Sequence, residues 1–326
     1  FIIRSVEDVL NNEFNASLAD KGVQIIDPFT GTGTFITRLL QSGIIPPEKL
    51  PQKYHEIHAN EIVLLAYYIA AINIESVYHA LLSEHSVNTQ ENSTDYQPFE
   101  GICLTDTFQM YEKEDLVDEI LQVNSDRRKR QKALDIQVII GNPPYSVGQT
   151  SANDNNANIA YPHLDEQIRS TYAEYSTSTN KNALYDSYIR AIRWASDRIG
   201  DNGVIGFITN AGFISSNTAD GLRKCLAEEF THLYIFHMRG NSRTSGDRAR
   251  KEGGNIFDIR TPTAISIIVK NSNAKQRGQI YFHDIGDYLK KEQKLEIIEN
   301  FQSVNGISAQ NGWMQIIPDQ FNDWLN

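Results

Sequence analysis

Short β-branched runs alternate with helical segments along most of this chain, and that order constrains its fold more than any other feature. Residues 23–26, 55–60, 102–104, 138–140, 204–208, 233–237 and 264–269 read as strands, several apolar throughout, as strands buried on both faces are. Residues 35–40, 62–80, 184–199 and 221–230 carry the spacing of helices. An opening helix, with Ser5 as its N-cap and Val9, Leu10 and Phe14 on one face, is expected to reach about Leu18. Strand and helix in alternation call for an α/β architecture, a mostly parallel doubly wound sheet with helices on both faces. No internal repeat of 20 to 50 residues competes with it.

Two stretches interrupt the pattern. Residues 146–180 are polar, with Asn153, Asp154, Asn155, Asn156 and Asn158 in their first half, and are too long for a plain connection in a compact domain. They are expected to be a mobile active-site insertion that orders when its partner binds. From 271 to 326 the strand pattern stops, and a charged helix at 290–300 precedes Trp313, Pro318 and Trp324. The expected division is therefore a catalytic domain over 1–270 and an extension toward a further domain over 271–326.

Composition removes whole classes. A chain of 326 residues that is 40% hydrophobic and 22% charged is neither disordered, collagen-like nor a disulfide scaffold. Cys103 and Cys225 are isolated, so reduced thiols are expected and no zinc site. The apolar stretch at 62–74 is too short to cross a bilayer and no signal peptide precedes it, which favours the cytoplasm and no membrane partner. The chain opens at Phe1 rather than Met and is expected to be a piece of a longer polypeptide. A formal net charge of −11 opposes simple attraction to nucleic acid, so a nucleic-acid partner needs local basic patches. Arg127, Arg128, Lys129, Arg130 and Lys132 form one; Arg239, Arg243, Arg248, Arg250 and Lys251 form another. Solvated charge on a loop is the alternative for the first.

The chemistry sits where strands end. The segment Asp27-Pro28-Phe29-Thr30-Gly31-Thr32-Gly33-Thr34-Phe35 follows the first strand, and its two glycines let backbone approach a ligand closely. A dinucleotide fingerprint would want a small residue where Ile36 stands, and no Gly-Lys-Ser/Thr for a P-loop occurs. Glu61 follows the second strand, where a carboxylate can accept both protons of a ribose diol, or merely cap the next helix. Asp106 follows the third. The fourth strand runs into Gly141-Asn142-Pro143-Pro144-Tyr145, the most specific signal in the chain. An exocyclic amine is a poor nucleophile because its lone pair is delocalised. The Asn142 side-chain carbonyl and the Pro143 backbone carbonyl can accept its protons and free that pair, and Tyr145 can stack on the base. A proline-rich turn is the bland alternative.

Asp27-Pro28-Phe29-x-Gly31-x-Gly33, Glu61, Asp106 and Asn142-Pro143-Pro144-Tyr145, in this order, resemble the γ-class adenine-N6 DNA methyltransferases. Asn182-Ala183-Leu184-Tyr185-Asp186, Asn210-Ala211-Gly212-Phe213 and Asn255-Ile256-Phe257-Asp258 further resemble the methyltransferase portion of Type ISP restriction-modification enzymes. The resemblance implies a Rossmann-like fold with an antiparallel last strand and S-adenosyl-L-methionine as cofactor. It implies that Asp27, Pro28, Phe29, Thr30, Gly31, Gly33 and Thr34 hold the methionine end and Glu61 the ribose. Asp106 with Thr107 would take the adenine amine, Ile62 or Phe108 would pack on that ring, and Phe257 would stack on a flipped adenine of double-stranded DNA. Nuclease, helicase-like ATPase and target-recognition domains would belong to other parts of the polypeptide, and a Thr-Pro-containing segment of the methionine pocket would precede residue 1. Two other readings stay open: methylation of RNA or a protein glutamine, and a catalytically silent DNA-binding module.

Overall fold

The computed structural model describes residues 1–89, 95–111, 122–144 and 160–325. Its first half holds α1 (Ile2–Phe14), β1 (Ile25–Asp27), α2 (Thr34–Gln41), α3 (Leu50–Tyr54), β2 (Ile57–Glu61), α4 (Leu64–Thr89), β3 (Ile102–Leu104), α5 (Gln122–Ala133) and β4 (Val138–Gly141). There follow α6 (Pro162–Ile168), α7 (Ser187–Arg198), β5 (Asn202–Asn210), α8 (Asp220–Glu229), β6 (His232–Arg239), α9 (Gly246–Glu252) and β7 (Thr263–Asn271). The C-terminal part contributes β8 (Gln279–Asp284), α10 (Lys291–Phe301), α11 (Val304–Ala309) and β9 (Met314–Ile316).

These strands form one sheet in the order β3-β2-β1-β4-β5-β7-β6-β8-β9. The first five are parallel, and Ile25 of β1 is paired with Ile57 of β2 on one side and Val138 of β4 on the other. Strand order therefore reverses at β1, which opens a crevice at the carboxyl ends of β1 and β4. Strand β7 runs antiparallel to its neighbours, wedged between β5 and β6 and paired with β5 from Asn202↔Asn271 to Asn210↔Thr263.

Alternate residues of the buried strands feed two cores, as the twofold period of a strand requires. Ile26, Ile139 and Ile268 face the layer of α6, α7 and α8, whereas Ile25, Val138, Ile140 and Ile267 face α1, α2 and α4. Both faces of the parallel strands are covered, which is why they are apolar throughout.

Four expectations are corrected. Helix α1 starts before Ser5 and stops at Phe14, with Asn15 left-handed at φ 50°. Ser5 lies buried inside the helix, where its Oγ accepts the Val304 N–H of α11 at 3.0 Å, so the hydroxyl joins two helices instead of capping one. Of the expected insertion at 146–180, residues 146–159 lie outside the described residues, and the remainder belongs to the core: Tyr161, Leu164, Ile168 and Tyr172 are spaced for a helix and buried. The asparagine-rich stretch before them hides that periodicity in the sequence. Residues 271–326 do not leave the sheet but widen it, with β8 parallel to β6 and β9 antiparallel to β8. Finally, the run Arg127–Lys132 belongs to α5; Arg128 is buried, Arg127 donates to the Tyr67 hydroxyl at 3.3 Å, and Arg130 lies 3.9 Å from Glu100. No helix among the described residues is long and apolar enough to cross a membrane.

Candidate active site

The loop after β1 is built from its own residues upward. Asp27 is fully buried, with Oδ1 accepting the Phe29 N–H at 3.1 Å and Oδ2 left without a hydrogen-bond partner among the described residues. Burial pushes its pKa up to about 7, and the charge of Glu61 adds to the rise against the Phe29 hydrogen bond. Thr30 stitches the loop down, donating its N–H to the Asn60 carbonyl at 3.0 Å and its hydroxyl to the Asp27 carbonyl at 2.8 Å. Gly33 enters α2 at φ 88°, and a Cβ there would meet Ile74 Cγ1 at 3.2 Å and the Ala70 backbone at 3.4 Å. Conformation and close packing of α2 on α4 both require glycine at this position.

Glu61 holds two pieces of backbone together. Its Oε2 accepts the Gly31 N–H at 2.8 Å and its Oε1 the Val63 N–H at 2.7 Å. It thus shapes the first loop and caps the start of α4, and the sequence had offered helix capping and ligand binding as alternatives. A carboxylate has about four acceptor sites, so these two bonds leave capacity for a diol.

Beyond β3, Asp106 accepts the Phe108 N–H at Oδ1 (2.9 Å) and the Tyr161 O–H at Oδ2 (2.8 Å). The Thr107 hydroxyl donates to the Pro28 carbonyl at 2.5 Å and accepts from Asn60 Nδ2 at 3.3 Å, which ties the ends of β1, β2 and β3 to one another. Beyond β4, Gly141 passes close to the first loop: a Cβ there would lie 3.1 Å from Asp27 Oδ1. Asn142 and Pro144 are then exposed and Pro143 is buried.

These four strand ends enclose a cleft of about 240 Å³. Pro28, Phe29, Gly31, Glu61, Ile62, Asp106, Thr107, Phe108, Asn142 and Pro144, all expected from the sequence, line it. Asp27, Thr30, Gly33 and Pro143 stand behind the lining as supports. Thr34 and Phe257 do not reach it. They line a separate apolar groove of about 390 Å³ between α1, α2, α10 and the β5 and β7 ends. Tyr145 lies outside the described residues. Asn60 and Thr105 line the cleft without having been singled out, and Tyr161 was missed as the partner of Asp106. Its place one residue before Glu61, at the end of β2, was the available signal for Asn60. For Tyr161 the sequence carried none, because its partner is 55 residues away.

The sequence profile of the Eco57I restriction-modification methylase family matches residues 55–243. Among solved structures, the DNA-bound ATP-dependent Type ISP restriction-modification enzyme LlaBIII superposes with a TM-score of 0.92 at 47% identity, over 100% of this chain and 21% of that one. A nuclease-deletion mutant of the Type ISP enzyme LlaGI, in complex with a DNA substrate mimic, gives 0.91 at 48% identity, over 100% of this chain and 26% of that one. The DrdV–DNA complex gives 0.89 at 39% identity, over 100% and 30%. No curated protein matches. The chain thus spans between a fifth and a third of the length of these similar enzymes, and it belongs to the Eco57I restriction-modification methylase family.

Proposed function

We propose that this chain is a DNA methyltransferase domain that transfers a methyl group from S-adenosylmethionine to N6 of a flipped adenine, within a longer cytoplasmic restriction-modification polypeptide. The observation that carries the reading is the convergence of Asp27, Glu61, Asp106 and Asn142, from four successive strand ends, at one crevice where strand order reverses. The donor set fits the cofactor. Glu61 keeps acceptor sites for the ribose hydroxyls, Asp106 offers a carboxylate to the adenine amine, and Phe108 and Ile62 give that ring apolar walls. The buried Asp27 oxygen that has no partner among the described residues would be satisfied by the cationic end of the cofactor.

When bound, S-adenosylmethionine supplies a methyl group made electrophilic by its sulfonium. The protein's part is orientation and polarisation. Asn142 Oδ1 and the Pro143 carbonyl accept the two N–H protons of the target amine, so that its lone pair turns toward the methyl donor. The buried Pro143 ring holds both acceptors rigid. The proton lost from nitrogen passes to solvent. A base inside duplex cannot reach the cleft, so the adenine leaves the stack. Tyr145 stacks on it, with Phe257 as the second candidate ring. The exposed residues Arg243, Arg248, Arg250 and Lys251, on and beside α9, are available to DNA phosphates. Residues 271–326 lead toward a target-recognition domain, and nuclease and helicase-like ATPase activities lie in other parts of the polypeptide.

Calorimetric titration of S-adenosylmethionine tests the cofactor, with Glu61→Ala as the variant expected to weaken it. Mass analysis of duplex DNA and of protein after incubation tests the acceptor. N6-methyladenine in DNA supports the proposal, and methylated glutamine or RNA with unmodified DNA overturns it.

A further inference from the structure

Asp106 accepts one hydrogen bond from its own loop and another from outside it. The Phe108 N–H holds Oδ1 from two residues away, whereas the Tyr161 hydroxyl reaches Oδ2 from the N-cap position of α6. Tyr161 is itself held on every side. Its ring is 1% exposed and meets Phe108 edge-on at 5.3 Å, with the Arg190 guanidinium 5.1 Å from its centroid. Arg190 binds Asp165 through Nε at 2.8 Å and Nη2 at 2.9 Å, and Asp165 accepts the Tyr161 N–H at 3.3 Å. A chain of contacts thus runs from α7 through α6 to one oxygen of Asp106.

We infer that Tyr161 is a positioning residue that aims the Asp106 carboxylate and thereby makes the site select a 6-amino purine over a 6-oxo purine. The inference rests on the reading of Asp106 as the acceptor for the cofactor's adenine amine. An ionised carboxylate only accepts, so it binds an amine and repels a carbonyl, and that discrimination depends on how closely the acceptor oxygen is aimed. One donor on each oxygen fixes both the tilt and the rotation of the group, which a single backbone N–H does not. Burial first, and then the charge and hydrogen bond of Asp106, push the phenol well above its usual range, so Tyr161 stays a donor. Phe108 lies against the Tyr161 ring, so the same side chain seats both the polar and the apolar contact of the purine.

The experiment compares binding of S-adenosylhomocysteine and S-inosylhomocysteine to the 326-residue chain. Tyr161→Phe is expected to weaken the adenosine compound about tenfold while leaving the inosine compound nearly unchanged, the usual effect of losing a hydrogen bond to a charged group. Asp106→Asn should weaken the adenosine compound at least as much and tighten the inosine compound, whose 6-oxo group its carboxamide can donate to, and Tyr161→Phe should add little in the Asp106→Asn background, since the two act as one unit. Tyr172→Phe is the structural control, because it removes a buried hydroxyl that has no partner among the described residues. It should leave the ratio untouched. A loss with Asp106→Asn but an unchanged ratio with Tyr161→Phe overturns this inference and spares the cofactor reading. Indifference to Asp106→Asn, or no binding of either compound by the unaltered chain, overturns both. If Tyr161→Phe does not fold, Asp165→Asn, which loosens the mount of Tyr161 and keeps its hydroxyl, must lower the ratio; an unchanged ratio there overturns the inference equally.

Discussion

The cleft at the ends of β1 to β4 and the apolar groove beside α1 and α2 are built on opposite principles. The groove is the larger, about 390 Å³ against 240 Å³, and its walls are side chains such as Ile2, Phe35, Met238, Ile256, Ile265 and Ile298, drawn from many elements. The cleft is smaller and less apolar, and its Glu61, Asp106 and Asn142 each stand within two residues of a strand end. Its carboxylates are also structural: Asp27, Glu61 and Asp106 each accept backbone N–H groups of the loops that form the walls. Between these two, volume favours the groove, whereas the concentration of fixed polar groups at successive strand ends favours the cleft.

That contrast predicts that substitutions in the cleft change cofactor binding or methyl transfer, and that those in the groove leave cofactor binding intact. The largest effect is expected from Asn142→Ala, which should lower methylation about 10²- to 10³-fold and leave cofactor affinity intact, since the activated amine loses an acceptor while Glu61 and Asp106 remain for the cofactor. Single-turnover methylation beside calorimetry checks it, and retained activity would break the proposed chemistry. Glu61→Ala should reduce S-adenosylmethionine affinity about tenfold to hundredfold and also lower the melting temperature, because the Gly31 and Val63 N–H groups lose their acceptor.

Asp27→Asn sharpens the comparison through pH. The native carboxyl keeps its proton up to about pH 7, whereas in the unfolded chain it loses it near its ordinary value. The folded state therefore binds more protons between about pH 4 and 7, so this group lowers stability as pH rises through that window. The variant should accordingly gain roughly 1 to 3 kcal/mol relative to the native chain at pH 8 and little at pH 4, while binding S-adenosylmethionine less well. Denaturation at the two pH values decides, and an equal effect at both would mean that Asp27 is ionised throughout. The smallest effect belongs to the groove. Phe257→Ala should leave cofactor affinity within about twofold, as distant surface changes do, and act only on DNA. A loss matching that of Glu61→Ala would merge the two regions into one site.

Much of the cleft was legible because a parallel sheet places its chemistry by rule. Residues at or just beyond the end of a parallel strand stand at the sheet's carboxyl edge, so Asp27, Glu61, Asp106 and Asn142 could be placed there once the strands were read. Phe257 carried no such rule. Its motif placed it near the last strand, and packing put it on the groove instead.

By itself, then, the sequence determined the alternation of strand and helix, the parallel half of the sheet and the residues at its ends, since all of these depend on spacing along a few neighbouring positions. Tertiary structure alone decided that Ser5 joins α1 to α11, that residues 279–284 and 314–316 widen the sheet, and that Tyr161 reaches Asp106. Each of these joins groups far apart in the chain, and no local pattern encodes such a contact. It forms only when burial leaves a polar group or a sheet edge one partner to satisfy it.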